Sequence, residues 1–342
     1  MFFPFDIGID GSRWSSVADP GTEVSSSPLT ERSELVSLDA GRGDVDFLLA
    51  PPVSGHTGTL LSDLVRGLLR AGRVHVIEQI CPSQVSATQS EGCLGQQARA
   101  ITLAAERLGC VHLLGACQST AATLLAAGQI SKTSDAALMS LTLIAAPIVS
   151  APGSGGVAGH IPRDAAGRAN FLGRIDEMIR QAQGGQRVLP GEIQLAAILQ
   201  GSGGAARLLM EENCVSWNFT ASSERRRKAR LRTRILLGTR DLERGLLLDS
   251  LRRNFVSRPH TRADSPVKHI TCPVLLVAGD QDSVIPAAQC HGGRRLFPAA
   301  PVTALTVPGA DHFDLFCGEA AISLGADIAS HLTESSQAQV AA

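Results

Sequence analysis

Two kinds of apolar pattern alternate along the chain. Compact apolar runs occur at 46–50 (Asp-Phe-Leu-Leu-Ala), 74–77, 111–114, 140–145, 273–278 and 302–307, and they predict strands, those at 46–50 and 111–114 buried. Between them, 60–69, 96–108, 118–127, 287–296 and 316–331 carry apolar residues at helical spacing. Strands and helices alternating in this way predict βαβ units around a mostly parallel sheet, the α/β class.

The alternation fails in two places. Residues 11–32 are rich in Ser, Pro, Gly and Thr without sustained periodicity, which predicts an irregular segment over 1–35. Between 149 and 265, glycine-rich loops at 153–156 and 201–204 separate charged, helix-forming stretches. This region reads as a helical cap inserted into a sheet domain formed by 36–148 and 266–334, with a disordered tail over 335–342. Within it, 241–255 is an amphipathic helix whose leucines pack the cap.

Composition narrows the function. A chain of 342 residues, 44% hydrophobic and 18% charged, can bury a large core, and its net charge of −1 argues against gripping nucleic acid with the whole surface. Tyrosine is absent, so no mechanism relying on a tyrosine acid or base operates here. The 8 cysteines include no C-x-x-C pair and no zinc-like spacing, so no structural metal is expected. The start of the chain lacks the features of a secretory signal, and no apolar run reaches the roughly 18 residues needed to span a bilayer. The expectation is a cytoplasmic protein with reduced thiols.

The chemistry concentrates at Gly115-Ala-Cys117-Gln-Ser119, where a buried strand gives way to a helix. Small residues at such a junction let the chain turn sharply and lift the middle side chain above the sheet, and a helix start favours a thiolate. Gly279-Asp280-Gln-Asp282 follows the next-to-last strand, and Asp311-His312 follows the last. Nucleophile, acid and histidine thus come in the order used by α/β-hydrolases. On this reading Cys117 is the nucleophile, His312 the base, and Asp282, preferred over Asp280, the orienting acid.

The backbone amide of Gln118, with one from Val53 or Ser54, would hold an oxyanion; Pro52 has no N–H to offer. His56 and Ser119 are candidates for touching substrate, against plainer roles as a loop hydrogen-bonding residue and a helix-start hydroxyl. Arg225-Arg-Arg-Lys228, continued by Arg230, Arg232 and Arg234, is a solvated helix face or a site for an anionic partner such as a coenzyme A phosphate. Gly153-Ser-Gly-Gly156 lacks the flanking strand and helix of a nucleotide loop.

In order, Leu49-Ala-Pro-Pro-Val-Ser-Gly-His56, Val111-His112 through Ala116-Cys117-Gln118, Ser140-Leu-Thr-Leu-Ile, Asp241-Leu-Glu, Gly279-Asp-Gln-Asp282 and His312-Phe-Asp-Leu-Phe-Cys-Gly318 resemble the intracellular polyhydroxyalkanoate depolymerases, relatives of the polyhydroxyalkanoate synthases. The chain departs from that family at Ser119, where the family has Pro, and at Glu78-Gln-Ile-Cys81, where it has Asp-Trp. The resemblance implies an α/β-hydrolase fold and a Cys117–Asp282–His312 triad cleaving or thiolysing 3-hydroxyacyl esters through an acyl-enzyme. Its substrate would be an ester, polyester or acyl thioester. No cofactor is implied beyond coenzyme A as acyl carrier or acceptor. Two other readings remain open: an acyltransferase, thioesterase or synthase-like enzyme, and a non-catalytic binding module.

Overall fold

A computed structural model of the chain describes residues 14, 15, 18–53, 58–80, 85, 92–133, 136–149, 155, 156, 159, 161–183, 188, 189, 242–257 and 265–340. The strands are β1 (Glu23–Thr30), β2 (Ser33–Asp39), β3 (Val45–Ala50), β4 (Gly72–Gln79), β5 (Cys110–Ala116), β6 (Ala137–Ile144), β7 (Val188–Leu189), β8 (Leu242–Glu243), β9 (Val274–Gly279) and β10 (Val302–Val307). The α-helices are α1 (Ser62–Leu68), α2 (Leu94–Leu108), α3 (Thr120–Thr133), α4 (Ala165–Gln183), α5 (Arg244–Leu251), α6 (Ala287–His291) and α7 (Glu319–Val340).

Eight strands form one sheet in the order β1-β2-β4-β3-β5-β6-β9-β10. From β4 to β10 every pairing is parallel, whereas β2 runs antiparallel to both β4 and β1. The inner strands read as continuous apolar runs because both faces of the sheet are covered. Leu48, Ala50, Leu113 and Leu143 look toward α2 and α3, while Phe47, Leu49, Leu114 and Val277 look toward α1 and α7. Helices α1 and α7 pack so closely that a Cβ on Gly67 would stand 2.3 Å from the Ile322 carbonyl oxygen.

Two expectations are corrected at the ends of the sheet. The segment to residue 35 is not wholly irregular, since β1 pairs with β2 from Glu23↔Asp39 onward. Its Ser-rich, mostly exposed residues gain their strand conformation from backbone pairing rather than apolar alternation. At the other end, α7 continues to Val340, so a helix replaces the expected tail over much of 335–342.

The insertion contributes α4, the short β7–β8 ribbon and α5, which continues into a π-helical turn at Arg252–Val256. Residues 190–241, with the arginine run, lie outside the described residues. The insertion is tied to the sheet domain by polar contacts. Arg32, between β1 and β2, binds Glu243 at 2.5 Å, and Asp249 on α5 accepts the Leu94 N–H at the start of α2, at 3.0 Å. Apolar contact is added by Phe255, packed with Ile161 and Ile285.

Candidate active site

The parallel sheet sends the ends of β3, β5, β6, β9 and β10 to one edge, and the candidate residues stand on that edge. Cys117 follows β5 with φ +47, and among the described residues only it and Ala145, at the end of neighbouring β6, combine a side chain with positive φ. Such a conformation costs roughly 1–2 kcal/mol, so surrounding contacts must hold it. Gly115 is needed beneath it, because a Cβ there would come within 2.6 Å of Thr123 Oγ1. A 3-10 turn, Cys117–Ser119, then leads into α3.

Three side chains hold this turn. The Thr120 hydroxyl donates to the Cys117 carbonyl at 2.6 Å, fixing the peptide that carries the Gln118 N–H. Ser119 Oγ accepts the Ala116 N–H at 2.8 Å and reaches the Ala50 and Ala116 carbonyls, both at 2.9 Å. Ser119 is fully buried by these contacts, so the candidate substrate contact is corrected to a structural tie between the ends of β3 and β5. The third is Asn254, from the insertion.

His312 stands in the loop after β10, with its ring edge-on to Phe313 and Phe316 at centroid separations of 5.8 and 5.4 Å. Asp311 shapes that loop, its Oδ1 accepting the Phe313 and Asp314 N–H groups at 2.9 and 3.1 Å. Asp282 Oδ2 receives His312 Nδ1–H at 2.8 Å, while Oδ1 accepts the Val284 and Ile285 N–H groups at 2.9 and 2.8 Å. Asp280 is exposed and makes no such contact with the ring. The Cys117 side chain is among the groups that raise the His312 ring. The structure therefore joins His312 to Asp282, and the Cys117 side chain acts on the same ring.

Two buried histidines show what this setting does. In His112, on β5, burial pushes the ring down to about 4, and Nδ1 sits 2.8 Å from the Ser140 hydroxyl. At His312 burial again disfavours the charge, but the Cys117 sulfur and the Asp282 carboxylate outweigh it and hold the ring up at about 10. The imidazolium is thus favoured. Because the folded value lies above the ordinary 6.5, this contact stabilises the fold fully below about pH 6.5, and the stabilisation is lost as pH rises through about 10. In Cys117→Ala the His312 titration, followed by its ring proton resonances, is expected to move down from about 10; an unmoved midpoint would separate the two residues.

Of the remaining candidates, Val53 is buried directly after β3, and Gln118 is half-buried. Ser54 and His56 lie outside the described residues. After them, the Gly58 N–H donates to Glu78 Oε2 at 3.0 Å, while Glu78 Oε1 takes the Trp14 indole N–H at 2.7 Å. Sequence reasoning missed Glu78 as an anchor, although a carboxylate ending the apolar run of β4 was its signal. The described thiols other than Cys117 divide into exposed or half-buried Cys110 and Cys93 and the buried Cys290 and Cys317, with Cys272 between; burial pushes Cys272 and Cys290 up to about 12 and Cys317 higher still. Among the described residues, no three His, Cys, Asp or Glu gather as a metal-ligand set, and no helix is long and apolar enough to cross a membrane.

No protein-family model and no curated protein matches the chain. Solved structures do. A hypothetical protein from Pseudomonas aeruginosa is similar at TM-score 0.60 and 14% identity, over 92% of this chain and 94% of that one. A monoacylglycerol lipase from Paleococcus ferrophilus gives 0.52 and 15% over 84% and 94%, and a haloalkane dehalogenase variant from Bradyrhizobium elkanii gives 0.52 and 14% over 93% and 99%. The fold is that of the α/β-hydrolases. Cys117 stands in the turn after β5, with positive φ.

Proposed function

We propose that this protein is a cysteine-nucleophile acyl hydrolase that cleaves 3-hydroxyacyl esters through an acyl-enzyme. The observation that carries the reading is His312, hydrogen-bonded to Asp282 at 2.8 Å and raised by the Cys117 side chain. The Cys117 thiolate attacks the acyl carbonyl, and the Gln118 amide, with one from Val53 or Ser54, stabilises the oxyanion. When the tetrahedral adduct collapses, the C–O bond breaks, and the leaving alkoxide takes the proton from His312 Nε2. Water then gives its proton to His312 and attacks the thioester, releasing the acid and restoring the thiolate. Asp282 holds the ring throughout. The order of the family-like segments from 49 to 318 supports a 3-hydroxyacyl group, and the lipase among the similar structures fits an ester.

A coenzyme A thiol in place of water would make the same site a transferase, with coenzyme A as acceptor rather than resident cofactor. A cysteine nucleophile suits thioester exchange, which favours that second reading for thioester substrates. We place the reaction in the cytoplasm, where such thiols stay reduced.

Intact mass measured after incubation with 3-hydroxybutyryl and longer acyl thioesters tests the proposal. A covalent acyl adduct is expected on the wild type and not on Cys117→Ala. Neither adduct nor turnover with any ester or thioester would turn the reading to a binding module.

A further inference from the structure

Asn254 comes from the insertion, 137 positions along the chain from Cys117, yet it is fully buried against the turn that Cys117 opens. Its amide works in both directions. Nδ2 donates to the Gln118 carbonyl at 2.9 Å and to the Ser250 carbonyl at 3.1 Å, and Oδ1 accepts the Ala121 N–H at 3.2 Å. The Ala121 N–H belongs to the first turn of α3, where backbone donors have no partner within their own helix. A carboxylate could accept from Ala121 but not donate to Gln118, and an apolar side chain could do neither. Among ordinary residues of this size, only an amide meets both demands.

The backbone of the insertion is shaped to deliver it. Asn254 is the middle residue of the π-helical turn Arg252–Val256, closed by the Ser257 N–H to the Arg252 carbonyl at 2.7 Å. Such widened turns are rare and often sit at functional sites. On the other side of Gln118, Thr120 fixes the preceding peptide through the Cys117 carbonyl. The two peptides flanking Gln118 are therefore pinned by different parts of the molecule, one locally and one by the insertion.

We propose that Asn254 is a positioning residue, through which the insertion fixes the Cys117 turn so that the sulfur meets His312 and the Gln118 amide meets the oxyanion. This rests on Cys117 being the reactive nucleophile. It makes the insertion part of the catalytic apparatus rather than only a cover over the substrate.

The test measures the alkylation rate of Cys117 by iodoacetamide near neutral pH, read by peptide mass spectrometry, with exposed Cys110 in the same chain as reference. Kinetic constants on the ester that loads the enzyme are taken alongside. Asn254→Ala is expected to slow Cys117 alkylation and to lower kcat by about 10- to 100-fold with KM little changed, the usual size of a small misplacement of reacting groups. Asn254→Ser keeps a hydroxyl that can make one of these bonds, and serves if the alanine variant does not fold; it should fall between wild type and Asn254→Ala. Leu246→Ala unpacks the same helix without touching the turn, and should lower the melting temperature while leaving Cys117 reactivity near wild type.

Unchanged reactivity and kcat in Asn254→Ala, or an equal slowing in Leu246→Ala, would overturn the positioning role and leave the nucleophile in place. A wild-type Cys117 no more reactive than Cys110 would instead overturn the nucleophile reading, and the positioning role with it.

Discussion

Asp282→Asn is expected to lower kcat by roughly 10,000-fold while leaving the fold and KM close to wild type, the loss seen when the orienting acid of a nucleophile–histidine–acid set becomes an amide. The reason lies in how the carboxylate is held. Oδ1 accepts two backbone N–H groups, so an asparagine must keep its oxygen there and turn its NH2 toward His312. His312 Nδ1 then has to accept rather than donate, the ring proton moves to Nε2, and the ring can no longer take a proton from Cys117. Steady-state kinetics on the loading substrate, with circular dichroism to confirm folding, measure this. Asp280→Asn is the companion: its exposed carboxylate predicts an effect within about twofold. Activity of Asp282→Asn within tenfold of wild type would remove Asp282 from the mechanism.

Arg32→Ala is expected to lower stability by about 3–5 kcal/mol, because it takes the guanidinium away from a buried carboxylate. The side chains of Arg32 and Glu243 are only 13% and 5% exposed, so water cannot replace the lost partner cheaply. The pair joins the β1–β2 hairpin to the start of β8 and α5, the segment that also delivers Asp249 to α2 and Asn254 to the Cys117 turn. Urea unfolding at neutral pH measures the loss. Replacing both partners together, as Arg32→Met with Glu243→Leu, is expected to return part of the stability, since the carboxylate that lost the guanidinium is removed with it. A loss below about 1 kcal/mol in Arg32→Ala would show that the insertion is held by its apolar contacts instead.

The parts of the site legible in the sequence share one physical property: each lies in the chain just beyond the end of a parallel strand. Cys117 ends the run at 111–116, Asp282 follows β9 and His312 follows β10, and a parallel sheet delivers all such ends to one edge. Asn254 has no such marker. It is a polar residue beside Phe255 in a leucine-rich helix, and only the distance to Gln118 reveals its use. Ser119 shows the converse, for its place one step past the elbow suggested substrate, while its contacts are with Ala50 and Ala116.

Local periodicity reports burial, and burial is what the sequence by itself determined: the inner strands, their covering helices and the chain order of thiol, carboxylate and imidazole. Tertiary structure alone decided that Ser-rich β1 joins the sheet, that Asp282 rather than Asp280 holds His312, and that an amide from the insertion reaches the Cys117 turn. Each of these depends on a hydrogen bond or a strand pairing between segments distant along the chain or on the geometry of one loop, and such partners leave no trace in the pattern of neighbouring residues.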